Sequence, residues 1–434
     1  MNQLIVRLSY AAALGALGTG CQSPSADVGA FRTVADTVGD TIVMHITGNP
    51  EGAGATLVPE LRIGVPEGDS AYIFGKVSGL APSAEGGVYV WDELSKSLRQ
   101  YDRSGRFVRQ LGRAGRGPGE YTSIAGMALV GEELIFFDRS TQHVNVYDSA
   151  GTLATSWLPA YPRGPMGQLY PGTGGRIWLW HLLENPESNP AGGLKIGYIE
   201  YSVRGEATGD AVPRLRFGPE DGPPVIRASG MRMGRQVMTV DMVPFTAEPL
   251  DAFSPYGYLV SGKGDRYSVL LSRRRAPPVR IERTVTPVPV SDDERAEAEA
   301  RTTARMRTID PRWTWNGIPI PDHKPFFRRL RIDADGRIWV ERTLASIRMS
   351  HSIVPARDDE PPPSHWREPV AYDVFGADGS LLGTVPVPEH ASLRYLQCDR
   401  VWGVVRDSLD IDYVVRWRLE PSLCGADRRV AAAR

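Results

Sequence analysis

Apolar and polar positions along this chain alternate in short runs, and one stretch of them is written twice. Gly79-Leu80-Ala81, Val88-Tyr89-Val90-Trp91-Asp92, Leu98-Arg99-Gln100-Tyr101-Asp102 and Ser104-Gly105-Arg106-Phe107 form the first copy. Gly126-Met127-Ala128, Leu134-Ile135-Phe136-Phe137-Asp138, Val144-Asn145-Val146-Tyr147-Asp148 and Ala150-Gly151-Thr152-Leu153 form the second. Asp92 and Asp138, Asp102 and Asp148, and Gly105 and Gly151 each stand 46 residues apart. Runs of β-branched and aromatic residues closed by Asp-Arg-Ser-Gly or Asp-Ser-Ala-Gly turns predict antiparallel hairpins. Four strands every 40 to 50 residues or so correspond to one blade of a β-propeller. Because one blade cannot bury both of its apolar faces alone, several must pack around an axis, with the strand aromatics filling the space between them.

The spacing predicts six four-stranded antiparallel blades. Blade one covers 77–111 and blade two 124–157, joined by the Gly-rich, Arg-bearing connection Gly112 to Tyr121. That connection lacks the Lys-Ser/Thr of a phosphate loop and the strand-helix context of a dinucleotide fingerprint, so its arginines offer at most an anion-binding rim. Blade three begins near Gln168, with 175–180 and 199–202 as strands and a Pro/Asn/Gly-rich insertion at 184–193. Blade four is assigned to Val237–Val243, Gly257–Val260 and Tyr267–Leu270. Blade five runs over 326–385 with a Pro-rich insertion at 344–368, and blade six takes 393–396, 400–405 and 413–419. Three strands there leave a gap that the early run Thr41–Thr47 is expected to fill. Ser291 followed by Glu294 and an Ala/Glu/Arg run predicts one inserted helix over 291–308, laid on a ring face with solvated charges.

Composition narrows the function classes. Fifty Lys and Arg against 51 Asp and Glu give a net charge of −1, which excludes charge-driven nucleic-acid binding. Arg7, the apolar run Leu8 to Leu17 and the small residues before Cys21 predict an export signal over 1–20, too short to span a membrane. Cys21 resembles the acylated cysteine of a bacterial lipobox, with Gly18 departing from the usual aliphatic. Gln22 in place of Asp is what the outer-membrane class shows. Residues 21–40 then read as a tether, 41–425 as one propeller and 426–434 as a tail. Cys398 and Cys424 remain as a candidate disulfide or as two small core residues.

The lipobox-like start, the Gly115-Arg116-Gly117-Pro118-Gly119-Glu120-Tyr121 connection and the Tyr-Asp-x-x-Gly hairpins together resemble the bacterial six-bladed β-propeller lipoproteins related to NHL-repeat proteins. The resemblance is strongest over 77–157 and recurs over 330–419. It implies a fold and an envelope location, and it transfers no catalytic residue.

Motifs for chemistry are sparse. His45, His143, His181, His323, His351, His365 and His390 show no HExxH and no metal-ligand spacing with cysteine. His351 and His365 share the blade-five insertion with Asp358, Asp359 and Glu360 and form the one candidate metal cluster. Asp333-Ala334-Asp335-Gly336 starts like a calcium loop but lacks its later carboxylates and reads as a hairpin turn. No Gly-x-Ser-x-Gly elbow occurs. The expectation is therefore an envelope-anchored monomer without a cofactor, holding a partner protein, peptide or glycan through its ring face and loops. The alternative is a lactonase-like metal-dependent hydrolase or lyase with calcium or zinc on the axis, which requires carboxylates and imidazoles from different blades to converge there.

Overall fold

The duplicated strands form two neighbouring sheets of a six-bladed ring. The computed structural model describes residues 31–48, 54–159, 168–183, 195–209, 211–214, 222–273, 276–315, 318–350 and 364–424. Blade one is Val77–Pro82, Val88–Asp92, Ser97–Tyr101 and Phe107–Leu111, from the axis outwards. Blade two repeats that order with Ile124–Val130, Glu133–Asp138, His143–Tyr147 and Leu153–Trp157. Blades three and five start from Leu169–Pro171 and Phe327–Ile332 and end at Val212–Pro213 and Leu381–Pro386.

Apolar side chains from adjacent blades mesh into separate interfaces. Trp91, Leu98, Tyr121 and Phe136 fill the one between blades one and two, and Ile63, Val90, Trp402 and Val414 the one between blades six and one. A fully buried Phe or Leu contributes about 1.5–3 kcal/mol, so these interfaces supply much of the driving force for closure. Gly79 and Gly126 let the inner strands come this close. A Cβ on Gly79 would lie 2.8 Å from Met127 Sδ, and one on Gly126 would lie 2.4 Å from the Leu169 nitrogen.

The ring is closed by Thr56–Ile63, which pairs antiparallel with Asp412–Glu420 and completes blade six beside Arg400–Arg406 and Ala391–Leu396. Thr41–Thr47, expected in that place, instead pairs parallel with Val279–Arg283 on the outer edge of blade four. Its alternating Ile42, Met44 and Ile46 pack against that blade's core. The closing strand is disguised by Pro59 and Glu60. Pro59 is tolerated because the strand has one free edge and bulges between Pro59 and Leu61, and Glu60 is held by Arg416 and Arg418 at 3.2 Å each. Phe31–Val38 adds a sixth strand to blade four, so the expected tether is strand from residue 31 onward.

Blade four departs from expectation in a second way. Its inner strand is Leu250–Phe253, followed by Leu259–Gly262 and Ser268–Ser272. Val237–Val243 lies instead in a separate hairpin, Val225–Arg232 with Arg235–Met242. Inner strands all run in one direction and neighbours alternate, so every blade-to-blade connection and every second-to-third-strand loop emerges on one face. That face carries the 225–242 hairpin, the helix α1 (Asp292–Arg307) and the blade-five insertion. The other face, which we call the turn face, carries the short hairpin turns.

Candidate functional site

An axial channel of about 420 Å³ runs between the inner strands, and all six blades contribute to its wall. Small residues such as Gly79, Ala81, Gly126, Ala128 and Ala252 make much of that wall, which is why the space exists. Pro255, Asp333 and Ala334 belong to turns after inner strands, so the channel reaches the turn face.

Among the described residues four charged side chains line it, and they are differently committed. Asp251 receives a two-pronged contact from Arg214, with Nε 2.8 and 2.9 Å from its two oxygens. Asp333 accepts from the backbone nitrogens of Asp335 and Arg337 at 2.9 and 2.8 Å and from Trp339 Nε1 at 3.0 Å. Burial pushes its carboxyl up to about 6 against those hydrogen bonds. Arg331 donates to the carbonyl oxygens of Leu393 and Arg394 at 2.7 and 2.9 Å, which pins it across the blade-five to blade-six seam. Arg394 is exposed to the channel, and among the described residues its guanidinium has no ion-pair or hydrogen-bond partner. Partial desolvation within the channel and the neighbouring charge of Arg331 hold it below the ordinary arginine pKa, yet it remains a cation at neutral pH. The wall thus offers one uncommitted cation beside a second, immobilised one.

The other face has a cleft of about 550 Å³ between α1 and the blade-five insertion, lined by Glu297, Arg301, Trp366 and Arg367 among others. Beneath it the Lys324 ammonium, fully buried, meets Glu294 Oε1 at 2.5 Å, Glu368 Oε1 at 2.7 Å and Ser346 Oγ at 2.5 Å. Arg328 also contacts Glu368. Burial lowers the Lys324 pKa, while Glu294 opposes that shift. Ser291 caps the helix by accepting from the Glu294 nitrogen at 3.3 Å, but the Glu294 side chain turns to Lys324 rather than back to the cap. The expectation of wholly solvated helix charges is thereby corrected. A buried cation needs the carboxylate that the first helical turn can deliver.

The remaining sequence candidates do not converge. His365 Nδ1 lies 3.1 Å from Glu297 Oε2, whereas His351, Asp358, Asp359 and Glu360 lie outside the described residues. His181 is buried with Nε2 3.1 Å from the Tyr201 hydroxyl, and His143 Nδ1 is 2.9 Å from the Thr141 carbonyl. His45 and His390 lie beside Glu282 and Glu389 near the surface. His323 faces an outer pocket with Lys263 and Asp265. None of the described histidines lines the channel. Arg113, on the expected anion rim, is taken up by Glu120 at 2.7 Å. Asp333–Gly336 is a hairpin turn, with Gly336 at φ 85°. Cys398 and Cys424 are joined with Cα atoms 4.9 Å apart. They form with Asp399 the one cysteine-carboxylate trio tight enough for an ion among the described residues, but the disulfide consumes both thiols. Cys21 lies outside the described residues, and no described helix is long and apolar enough to cross a membrane. Sequence reasoning missed Arg331, Arg394 and Lys324. The arginines sit in strands of ordinary pattern and meet only through the ring.

The chain is a six-bladed β-propeller, and residues 71–166 match a family model described as 6-bladed beta-propeller. No curated protein matches it in sequence. Solved structures of similar fold include an exported protein from Bacteroides fragilis, at 9% identity over 87% of this chain and 99% of that one, TM-score 0.44. A DUF4221 member from Bacteroides vulgatus is similar at 10% identity over 85% and 98%, TM-score 0.49. A gluconolactonase from Xanthomonas campestris follows at 14% identity over 83% and 97%, TM-score 0.35. At such identities the likeness is one of fold alone.

Proposed function

We propose that this propeller is an envelope lipoprotein, acylated at Cys21, that binds a carboxylate-bearing peptide or glycan in its axial channel at Arg394. The observation that carries this reading is Arg394, a channel-lining arginine whose guanidinium has no hydrogen-bond or ion-pair partner among the described residues, beside the pinned Arg331. A guanidinium meets a carboxylate through two parallel N–H···O bonds, and a partly enclosed channel makes that contact stronger than it is on open surface. Small residues around it leave room for the ligand's remaining atoms.

The metal-dependent hydrolase reading fits the channel less well. Its two wall carboxylates are already engaged, Asp251 by Arg214 and Asp333 by three hydrogen-bond donors, and the other two charges on the wall are cations that repel a metal ion.

Calorimetric titration with an oligogalacturonate, a Glu-rich peptide and their neutral counterparts tests the proposal. Binding of one acidic ligand, at least tenfold tighter than its neutral counterpart, is expected, and which one binds identifies the ligand class. Equal binding of neutral and acidic forms, or none, would overturn it.

A further inference from the structure

The 225–242 hairpin has two unlike faces. Ile226 and Ala228 point inwards to Met306 of α1 and to Trp313, whose Nε1 donates to the Arg227 carbonyl at 3.0 Å. Arg305 at the end of α1 pairs with Asp241 at 2.7 Å, which fixes the hairpin to the helix. Register places Met231, Met238, Val240 and Met242 together on the opposite side. All four are exposed, Met231 at 70% and Met238 at 65%, and Met233 at the tip is 98% exposed. Monomeric soluble proteins rarely leave so many large apolar side chains contiguous without use for them.

The exposed charges on the described hairpin are basic. Arg227 lies on the methionine face opposite Val240, Arg232 and Arg235 pair at the tip on the other face, and among the described residues none of the three forms an ion pair. Asp241, the hairpin's acidic residue, faces inwards to Arg305. An apolar tip flanked by arginines is the composition that seats a segment at the boundary between acyl chains and anionic headgroups. Methionine suits this, since its flexible thioether adapts to a disordered partner.

The path of the chain points the same way. Val279–Arg283 runs towards the face that carries the hairpin, Thr41–Gly48 runs parallel to it, and Phe31–Val38 returns antiparallel. Phe31 therefore lies at that face on blade four, the blade the hairpin precedes. Ten residues from Cys21 to Phe31 reach at most about 36 Å, so an acyl group on Cys21 would hold this face near the bilayer.

We infer that the hairpin is a membrane-docking element. It inserts Met231, Met233 and Met238 into an anionic phospholipid surface, with the channel's turn-face mouth directed away. The path argument rests on the lipoprotein reading, whereas the composition of the hairpin does not. Residues 22–434 contain every described element and lack both the export segment and the acylation site, so their vesicle binding reports the hairpin alone. Co-flotation with phosphatidylethanolamine vesicles containing one-quarter phosphatidylglycerol is expected, at least tenfold stronger than with phosphatidylcholine vesicles and falling with salt. Met233→Asp with Met238→Asp should abolish it without altering the circular dichroism spectrum, and Arg394→Gln should leave it unchanged. No flotation of the parent chain, or equal flotation of the double variant, would overturn the inference. Concentration-dependent dimerisation removed by the same double variant would overturn it too, in favour of a second copy. Acylation of Cys21, read separately from the mass of the envelope form, can fail while flotation succeeds.

Discussion

Asp92 and Asp138, 46 residues apart, hold the same place in consecutive blades and make corresponding bonds to the same two segments of each blade. Asp92 accepts from the nitrogens of Gly75 and Lys76 at 3.0 and 2.9 Å and from Ser95 Oγ at 2.8 Å. Asp138 accepts from Thr122 N at 2.6 Å, Ser140 N at 2.7 Å and Ser140 Oγ at 2.8 Å. Each buried carboxylate ties the chain entering a blade to the loop after that blade's second strand. Burial pushes both carboxyls up, but the hydrogen bonds outweigh it and hold both below the usual range. Their contribution is thus present above the unfolded carboxyl pKa of about 3.9 and lost as pH falls through the lower folded value. Asp138→Ala should cost about 2–4 kcal/mol by urea denaturation at pH 7, since several part-buried donors lose their buried acceptor. A less buried control, Asp148→Ala in a hairpin turn, should cost markedly less.

Lys324 makes the opposite kind of node, a buried cation between Glu294 and Glu368. Lys324→Met leaves those carboxylates short of a counter-charge and should destabilise the protein by about 3–5 kcal/mol. Adding Glu294→Gln to that variant should recover part of the loss, a non-additivity read from a double-mutant cycle. Simple additivity would show that the three side chains do not act as one cluster.

Asp333 has its pKa raised to about 6, so the folded state holds its proton more tightly than the unfolded chain does. The sign follows from linkage: its contribution is greatest below the unfolded pKa of about 3.9 and is lost as pH rises through about 6. Relative to Asp333→Asn, the parent protein should lose roughly 2–3 kcal/mol between pH 4 and pH 7. Unfolding midpoints of both proteins across that range check it, and parallel curves would contradict it.

The Cys398–Cys424 bond closes a segment of 26 residues that ends beside Leu423 in the core of blade six. Chain-entropy arguments give about 3.5 kcal/mol for a loop of that length. Cys424→Ser should lower stability by roughly that amount, and intact mass before and after reduction should differ by two hydrogens in the parent alone.

Much of the ring was legible in the sequence because strand alternation and Asp-x-x-Gly turns are local signals. Blades one and two follow them throughout. Leu250–Phe253 escaped notice because a four-residue strand flanked by Pro249 and Pro255 is too short to show a period, while the longer 235–242 run shows one and belongs elsewhere. Pro59 and Glu60 hid the closing strand, although Thr41–Thr47 satisfied every local rule for it. Arg331 and Arg394 could not be paired from sequence, since 63 residues separate them and only the ring brings them together. Lys324 resembled an ordinary loop lysine until the helix and the insertion covered it.

The central functional claim is tested most directly by titrating the acidic ligand that binds the parent protein into Arg394→Gln, with Arg113→Gln as a control on the outer rim. Arg394→Gln should lose at least tenfold in affinity and part of the salt dependence, while Arg113→Gln should bind like the parent. Unchanged affinity in Arg394→Gln, or an equal loss in both variants, would contradict it.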